Sequence, residues 1–280
     1  MKKVLLLFLL LFLTGCKDHE IDGDGNDKNK IEREITVSEG VILKDTPYET
    51  NTYHYTTNIE GPKVVLIGGI HGDEVAGWTA AEMFVETNNF VGEVLLIPKA
   101  NSLATYLVQR FPGSNDNGNY NGEKYSDLNR IMPGKKDGTV TEKIANEIYQ
   151  TIMDFNPDFV VDMHESIRNY ADSKPRLGNS IIYENIKSSI VVMQLVEEYN
   201  KLFTEEGELP FIYDNSPPQG SFNYHFGNIE GFYTFTIETD RQLPLEKRIT
   251  QQINIVNTFF ELIKEGKIRW DKKLKFWQAF

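Results

Sequence analysis

Cysteine is almost absent from this 280-residue chain: Cys16 is the single one, so no intramolecular disulfide can form. Positive charge is also scarce. The 29 Lys and Arg face 41 Asp and Glu, for a formal net charge of −12. So acidic a chain is unsuited to a phosphate backbone, and no nucleic-acid partner is expected. No apolar run approaches the ~20 residues of a membrane-spanning helix. The clearest one, Val4 to Leu13, stops after ten. No internal repeat divides the chain.

What is present at the N-terminus has the layout of an export signal. Lys2 and Lys3 precede the apolar run, and small residues follow it. The end of that run, Leu13-Thr14-Gly15-Cys16, resembles the bacterial lipobox; an ordinary secretory signal with a coincidental cysteine is the alternative. The resemblance implies that residues 1–15 are a cleaved signal peptide and that Cys16 carries a diacylglycerol. Such an anchor holds a protein on a membrane without spanning it. It implies a place in the bacterial cell envelope, facing outside the cytoplasm. From Cys16 to Lys30 the chain is polar, rich in Gly and Asp, and reads as a flexible stalk. Residues 31–280 then suffice for one well-buried domain with no second linker.

Within that domain, short apolar runs alternate with longer amphipathic ones. Lys63–Gly69, Glu93–Pro98, Asp158–Met163, Asn179–Tyr183 and Tyr233–Glu238 read as strands. Several lack clean alternation, as strands covered on both faces do. Glu74–Thr87, Thr141–Phe155, Ser188–Thr204 and Leu245–Glu265 read as helices, the second starting at Thr141 and ending before Pro157. Alternation of this kind predicts an α/β domain with a mixed, mainly parallel central sheet flanked by helices. Ile35–Leu43 and Tyr53–Thr57 read as an edge hairpin. The Gly- and Asn-rich stretch 111–127 and the Pro-containing stretch 210–229 read as long irregular loops, which in a compact domain are usually functional. The tail from Trp270 to Phe280 reads as packing on the sheet.

Chemistry concentrates where the expected strands end. Gly68-Gly69-Ile70-His71-Gly72-Asp73-Glu74 presents an imidazole and a carboxylate three residues apart, and Asp162-Met163-His164-Glu165 adds a second histidine. His71, Glu74 and His164 make a His₂Glu set, the three-ligand pattern of catalytic zinc with its fourth position open. Gly68 and Gly69 read as clearing space for the metal and the scissile bond. In an open α/β sheet ligands bind beyond the carboxyl ends of the strands, where these residues lie.

Taken with Asp127-Leu128-Asn129-Arg130 and Ile237-Glu238-Thr239, these motifs resemble the zinc carboxypeptidase superfamily, in particular its succinylglutamate desuccinylase/aspartoacylase-like branch. Four motifs in the family's order span Lys63 to Asp240. The resemblance implies one zinc ion on His71, Glu74 and His164, with Glu238 as general base, which agrees with the chemistry of those side chains. Asn129 and Arg130 would clamp a substrate carboxylate. Arg110 would stabilise the oxyanion, or else lie exposed on a loop. Relatives of carboxypeptidase A carry a substrate-contacting tyrosine before the catalytic glutamate; of Tyr213, Tyr224 and Tyr233, Tyr224 has the best context.

Plainer roles stand beside these. Arg130 is an alternative ion-pair partner for Asp127. Asp162 lies on the same side of its strand as His164, where it either orients that ligand or packs, while Glu165 points away. His19 and His54 read as solvated or packed, and His225 as structural or in contact with substrate. The expected activity is hydrolysis of an amide beside a free carboxylate, in a peptide or an N-acyl amino acid. Only 42 residues follow Glu238, which suggests an open cleft and leans toward peptides. The rival reading is a non-catalytic zinc- or ligand-binding lipoprotein of the same fold, which would have no need of a carboxylate at Glu238.

Overall fold

The computed structural model describes residues 33–87, 89–166, 178–203 and 210–270. The expected signal, the stalk, Cys16, His19 and residues 271–280 of the tail lie outside them. No helix among the described residues is long and apolar enough to cross a membrane.

Ten strands are present among the described residues: β1 (Ile35–Ile42), β2 (Thr50–Thr57), β3 (Lys63–Gly68), β4 (Glu93–Ile97), β5 (Asn119–Tyr120), β6 (Glu123–Lys124), β7 (Phe159–Ser166), β8 (Ser180–Tyr183), β9 (Ile212–Asp214) and β10 (Tyr233–Asp240). Eight of them form one sheet in the order β1-β2-β4-β3-β7-β10-β8-β9. Its centre, β4-β3-β7-β10, is parallel throughout. The β1–β2 hairpin sits antiparallel at one edge and β8 runs antiparallel to β10. The fold is therefore the mixed, mainly parallel α/β arrangement expected.

Among the described residues seven α-helices accompany the sheet: α1 (Val75–Glu82), α2 (Phe84–Thr87), α3 (Ser102–Leu107), α4 (Val140–Phe155), α5 (Ile186–Phe203), α6 (Phe222–Tyr224) and α7 (Leu245–Lys264). Strand parity divides the core in two. Val64, Leu66, Phe159, Val161, Met163, Phe235 and Ile237 pack with α1, α5 and α7 on one face. Val65, Ile67, Ile97 and Val160 pack on the other face with Ile144, Ile148 and Ile152 of α4.

Several boundaries differ from the sequence reading. The expected helix 74–87 breaks at Met83 into α1 and α2, and Glu74 stands outside it as the N-cap residue. The start of α4 is Thr139, not Thr141: the Thr139 hydroxyl accepts from Glu142 N–H while Glu142 answers to Thr139 N–H, a capping box that leaves Thr141 buried. Strands β7 and β10 outrun their expected ends because they keep pairing with each other to Ser166 and Asp240, past the end of β3. The stretch 111–127 contains the β5–β6 hairpin, and 210–229 contains β9, α6 and a π-helical turn, His225–Ile229. Both had offered too few apolar residues to show a period.

Helix α1 lies directly on β7. A Cβ added at Gly77 would stand 2.4 Å from the Met163 carbonyl oxygen. Alanine is the better helix former by about 1 kcal/mol, yet Gly77→Ala must push helix and strand apart. The variant should lose about 1–3 kcal/mol of stability in urea unfolding. Unchanged stability would show that α1 can lift from β7 freely.

Candidate active site

His71 follows β3 across a short turn in which Gly69 takes φ +70°. The two glycines do not clear space for a metal, as the sequence reading had it. A Cβ at Gly68 would meet Trp78 Cα and the Pro98 carbonyl at 3.0 Å, and one at Gly69 would meet Thr105 and Lys99. They let the turn seat against the β4–α3 connection, where Gly68 and Gly69 carbonyls accept Ala100 and Asn101 N–H. His71 then drops into the cleft.

Glu74 is the hub. Its Oε1 accepts His71 Nδ1 at 2.8 Å, and its Oε2 accepts His164 Nδ1 at 2.6 Å and the Glu165 backbone N–H at 3.0 Å. The imidazole centroids are 4.8 Å apart. One ligand atom from each of His71, Glu74 and His164 lies within 4.8 Å of the others, so the three could hold a metal ion. The far nitrogens are also held: His71 Nε2 by Asp127 Oδ1 at 2.9 Å, His164 Nε2 by Asp162 Oδ2 at 2.8 Å. Each ring is thus fixed by a carboxylate on one nitrogen while the other faces the cluster, the arrangement that orients metal-binding histidines. Of the two roles open to Asp162, orienting His164 is the one its geometry supports.

Electrostatics follow from this crowding. Burial works against charge on His71 and His164, but Glu74 beside both, with Asp127 and Asp162 behind them, raises both pKa values. Burial likewise opposes ionisation of Glu74, yet the two imidazoles hold it well below the ordinary carboxylate range. Glu238 is the opposite case. Its Cα pairs with that of His164 across β10 and β7, so both side chains share a sheet face. Its Oε2 is buried with no hydrogen-bond partner among the described residues. Burial, against the opposing pull of His164, pushes its pKa up to about 8.

A cleft of about 400 Å³ opens over these groups. Arg110 and Arg130 both line it, in different states. Arg110 donates twice to Asp127 Oδ2, at 2.9 and 3.1 Å, and reaches Glu74 Oε1 at 3.5 Å. It, rather than Arg130, is the partner of Asp127. Arg130 makes no ion pair among the described residues; its Nη1 donates to the Asn129 carbonyl at 2.6 Å. Asn129 is buried at the cleft wall, its Oδ1 accepting Phe222 N–H.

No candidate tyrosine lines the cleft. Tyr224 is half-buried in α6 and does not line the cleft; from that region Ser216, Pro217, Pro218 and Ser221 do. Tyr213 points out from β9, 49 % exposed, and Tyr233 packs against Phe159. His225 is buried beside Tyr149 and Glu230, outside the cleft lining. His54 is half-exposed on β2 against Glu93.

Sequence reasoning missed Arg241, which lines the cleft and clasps Asp73 at Oδ2 (3.0 Å) and at its carbonyl (2.7 Å), pinning the loop between the first two cluster residues. No local pattern marks it, since 168 positions separate the pair. Asp127 lay inside a quoted motif, but its service to His71 and Arg110 shows only in three dimensions.

The family described as succinylglutamate desuccinylase/aspartoacylase catalytic domain matches residues 60–262, and the chain belongs to it. The N-alpha-acetyl-L-2,4-diaminobutyric acid deacetylase of Halomonas elongata is 36 % identical over 112 residues, 39 % of this chain and 30 % of that protein. The mDAP-bound form of Helicobacter pylori Csd4, a D,L-carboxypeptidase, superposes with a TM-score of 0.61 at 19 % identity, covering 75 % of this chain and 52 % of Csd4. An aspartoacylase family protein from Mesorhizobium loti gives 0.57 at 21 %, covering 82 % and 68 %. The chain thus matches under a third of the curated relative and about half of Csd4. The two structural likenesses establish the fold.

The Glu238 carboxyl makes a testable contribution to stability. Its folded pKa, about 8, exceeds the ordinary 4.5, so the native state keeps a proton that the unfolded chain gives up. The stability it contributes is complete below about pH 4.5 and is lost as pH rises through about 8. In chelator-treated protein, Glu238→Gln should match wild type near pH 5 and become the more stable toward pH 8. The gap should open by up to roughly 1.4 kcal/mol per pH unit. A gap that does not change with pH would mean that Glu238 is ionised at neutral pH.

Proposed function

We propose that the protein is a zinc-dependent hydrolase that cleaves an amide bond beside a free carboxylate, in an N-acyl amino acid or at the C-terminus of a peptide. One observation carries the reading: Glu238, whose Oε2 is buried without a hydrogen-bond partner among the described residues, sits in register with His164 of a His₂Glu cluster, in a cleft lined also by Arg130, which makes no ion pair among the described residues. A binding protein has no use for the Glu238 arrangement.

The donor set fits zinc, with two imidazoles and one carboxylate presented together and carboxylates behind each ring. When bound, the ion would polarise the substrate carbonyl and acidify a water. The remaining work falls to the chain. Glu238 takes a proton from the attacking water on its carboxylate and returns it to the leaving nitrogen. Arg130, with Asn129 beside it, receives the substrate carboxylate through parallel N–H donors. Arg110, held by Asp127 and near Glu74, offers positive charge where the carbonyl oxygen becomes negative.

Family membership supports amide hydrolysis, and the relatives named above, a deacetylase and a D,L-carboxypeptidase, bracket the substrate class. The test offers N-acyl amino acids and short peptides to the full chain and measures bound zinc. We expect one zinc per chain and turnover of at least one series. Glu238→Gln should cost about 10²–10⁴-fold in kcat with zinc retained. Arg130→Ala should cost about ten- to a hundredfold in kcat/KM, the worth of a charged hydrogen bond, and nothing on substrates lacking the carboxylate. Tight zinc without turnover of either series would favour the non-catalytic reading.

We propose further that Cys16 carries a lipid anchor in the bacterial cell envelope, with the domain facing outside the cytoplasm. The support is the sequence before Cys16. Cells fed radiolabelled fatty acid should label the wild-type protein but not Cys16→Ala. Equal labelling of the two would place the modification elsewhere.

A further inference from the structure

Glu165 directly follows a cluster histidine yet faces away from the cluster. Strand parity sends its side chain to the opposite sheet face, where it is buried at 3 % exposure between α1 and α7. There its Oε2 accepts Ala76 N–H at 2.9 Å, in the first turn of α1, and its Oε1 pairs with Arg248 of α7. Its own backbone N–H meanwhile donates to Glu74 Oε2, the oxygen that also receives His164. Glu165 thus grips Glu74 directly through its backbone, and grips the helix that begins after Glu74 through its side chain. One helical turn beyond Arg248, buried Gln252 donates to the His164 carbonyl at 2.7 Å and to Thr239 Oγ1 at 3.3 Å. Thr239 is the neighbour of Glu238. Two side chains of one helix, four residues apart and so on one face, therefore hold the His164 backbone and the strand that carries Glu238 directly, through Gln252, and the start of α1 behind Glu74 indirectly, through the Arg248–Glu165 pair.

We infer that Glu165, Arg248 and Gln252 are positioning residues: a clamp on the back of the sheet that holds Glu74 and His164 at metal-binding separation. Arg248 and Gln252 lie outside the cleft lining, and Glu165, at the cleft's edge, turns its carboxylate to Ala76 and Arg248. The clamp acts on the arrangement of the ligands, and the inference rests on the zinc reading above. A buried ion pair replaced by apolar residues often costs little stability, whereas removal of one partner costs much. This separates positioning from mere support.

The test titrates zinc into the full chain against a chromophoric chelator, with thermal unfolding of the metal-free forms alongside. Glu165→Gln should weaken zinc about 10- to 100-fold, the usual cost of losing an outer-shell partner. The double variant Glu165→Leu/Arg248→Met should weaken it comparably while its metal-free melting temperature stays close to wild type. Gln252→Met, which leaves the ion pair intact, should weaken zinc by a smaller factor, and it decides the matter if both Glu165 variants fail to fold. Wild-type zinc affinity in a folded Glu165 variant, or in Gln252→Met when it must decide, overturns the clamp alone. A wild-type chain that binds no zinc overturns the zinc reading and the clamp together.

Discussion

The Glu74 carboxylate, 4 % exposed, accepts hydrogen bonds from two imidazoles and a peptide N–H. A charge taken that far out of water needs compensation from close partners, or it neutralises instead. The partners come from different parts of the chain: His71 from the loop after β3, His164 and the Glu165 peptide from β7. Each histidine then needs a carboxylate of its own, which brings in Asp127 and Asp162. Arg110 follows, to balance Asp127. One buried charge thus dictates a shell of alternating sign.

The sheet makes that shell possible. Parallel pairing of β3, β7 and β10 sets the register, and side-chain parity sorts each strand into a face that packs and a face that reacts. On β7, Phe159, Val161 and Met163 join the apolar layer under α1, α5 and α7, whereas Asp162 and His164 emerge on the other side. On β10, Phe235 and Ile237 are buried below, and Thr236 and Glu238 line the cleft. A slip of one residue would bury the histidine in the apolar layer and expose a methionine. Glu238 Oε2 is left without a partner among the described residues, and burial raises the pKa of that carboxyl.

The parts of the chain differ in how clearly they could be read. Strands β3 and β4 and helices α4, α5 and α7 were plain because each is long or apolar enough to show its period. Helix α3, β9 and the π turn were not, because three to six residues carry no period and neighbouring structure stabilises them. The start of α4 was read at Thr141, whereas the cap is Thr139, a residue of the same type; only the reciprocal bond with Glu142 distinguishes them. The Gly68-Gly69 pair was read as space for a ligand when it is space for the β4–α3 connection.

The sequence by itself determined which side chains have metal-binding, acid–base and anion-binding chemistry, because that capacity belongs to the residue type and to spacings such as His71 to Glu74. Tertiary structure decided how they are paired. It gave Asp127 to His71 and Arg110, left Arg130 in the cleft lining without an ion pair among the described residues, joined Arg241 to Asp73, and kept Tyr224 out of the cleft lining. Those choices depend on sheet register and on helices crossing the sheet, which bring together groups up to 168 residues apart. Local sequence carries no record of distances of that kind.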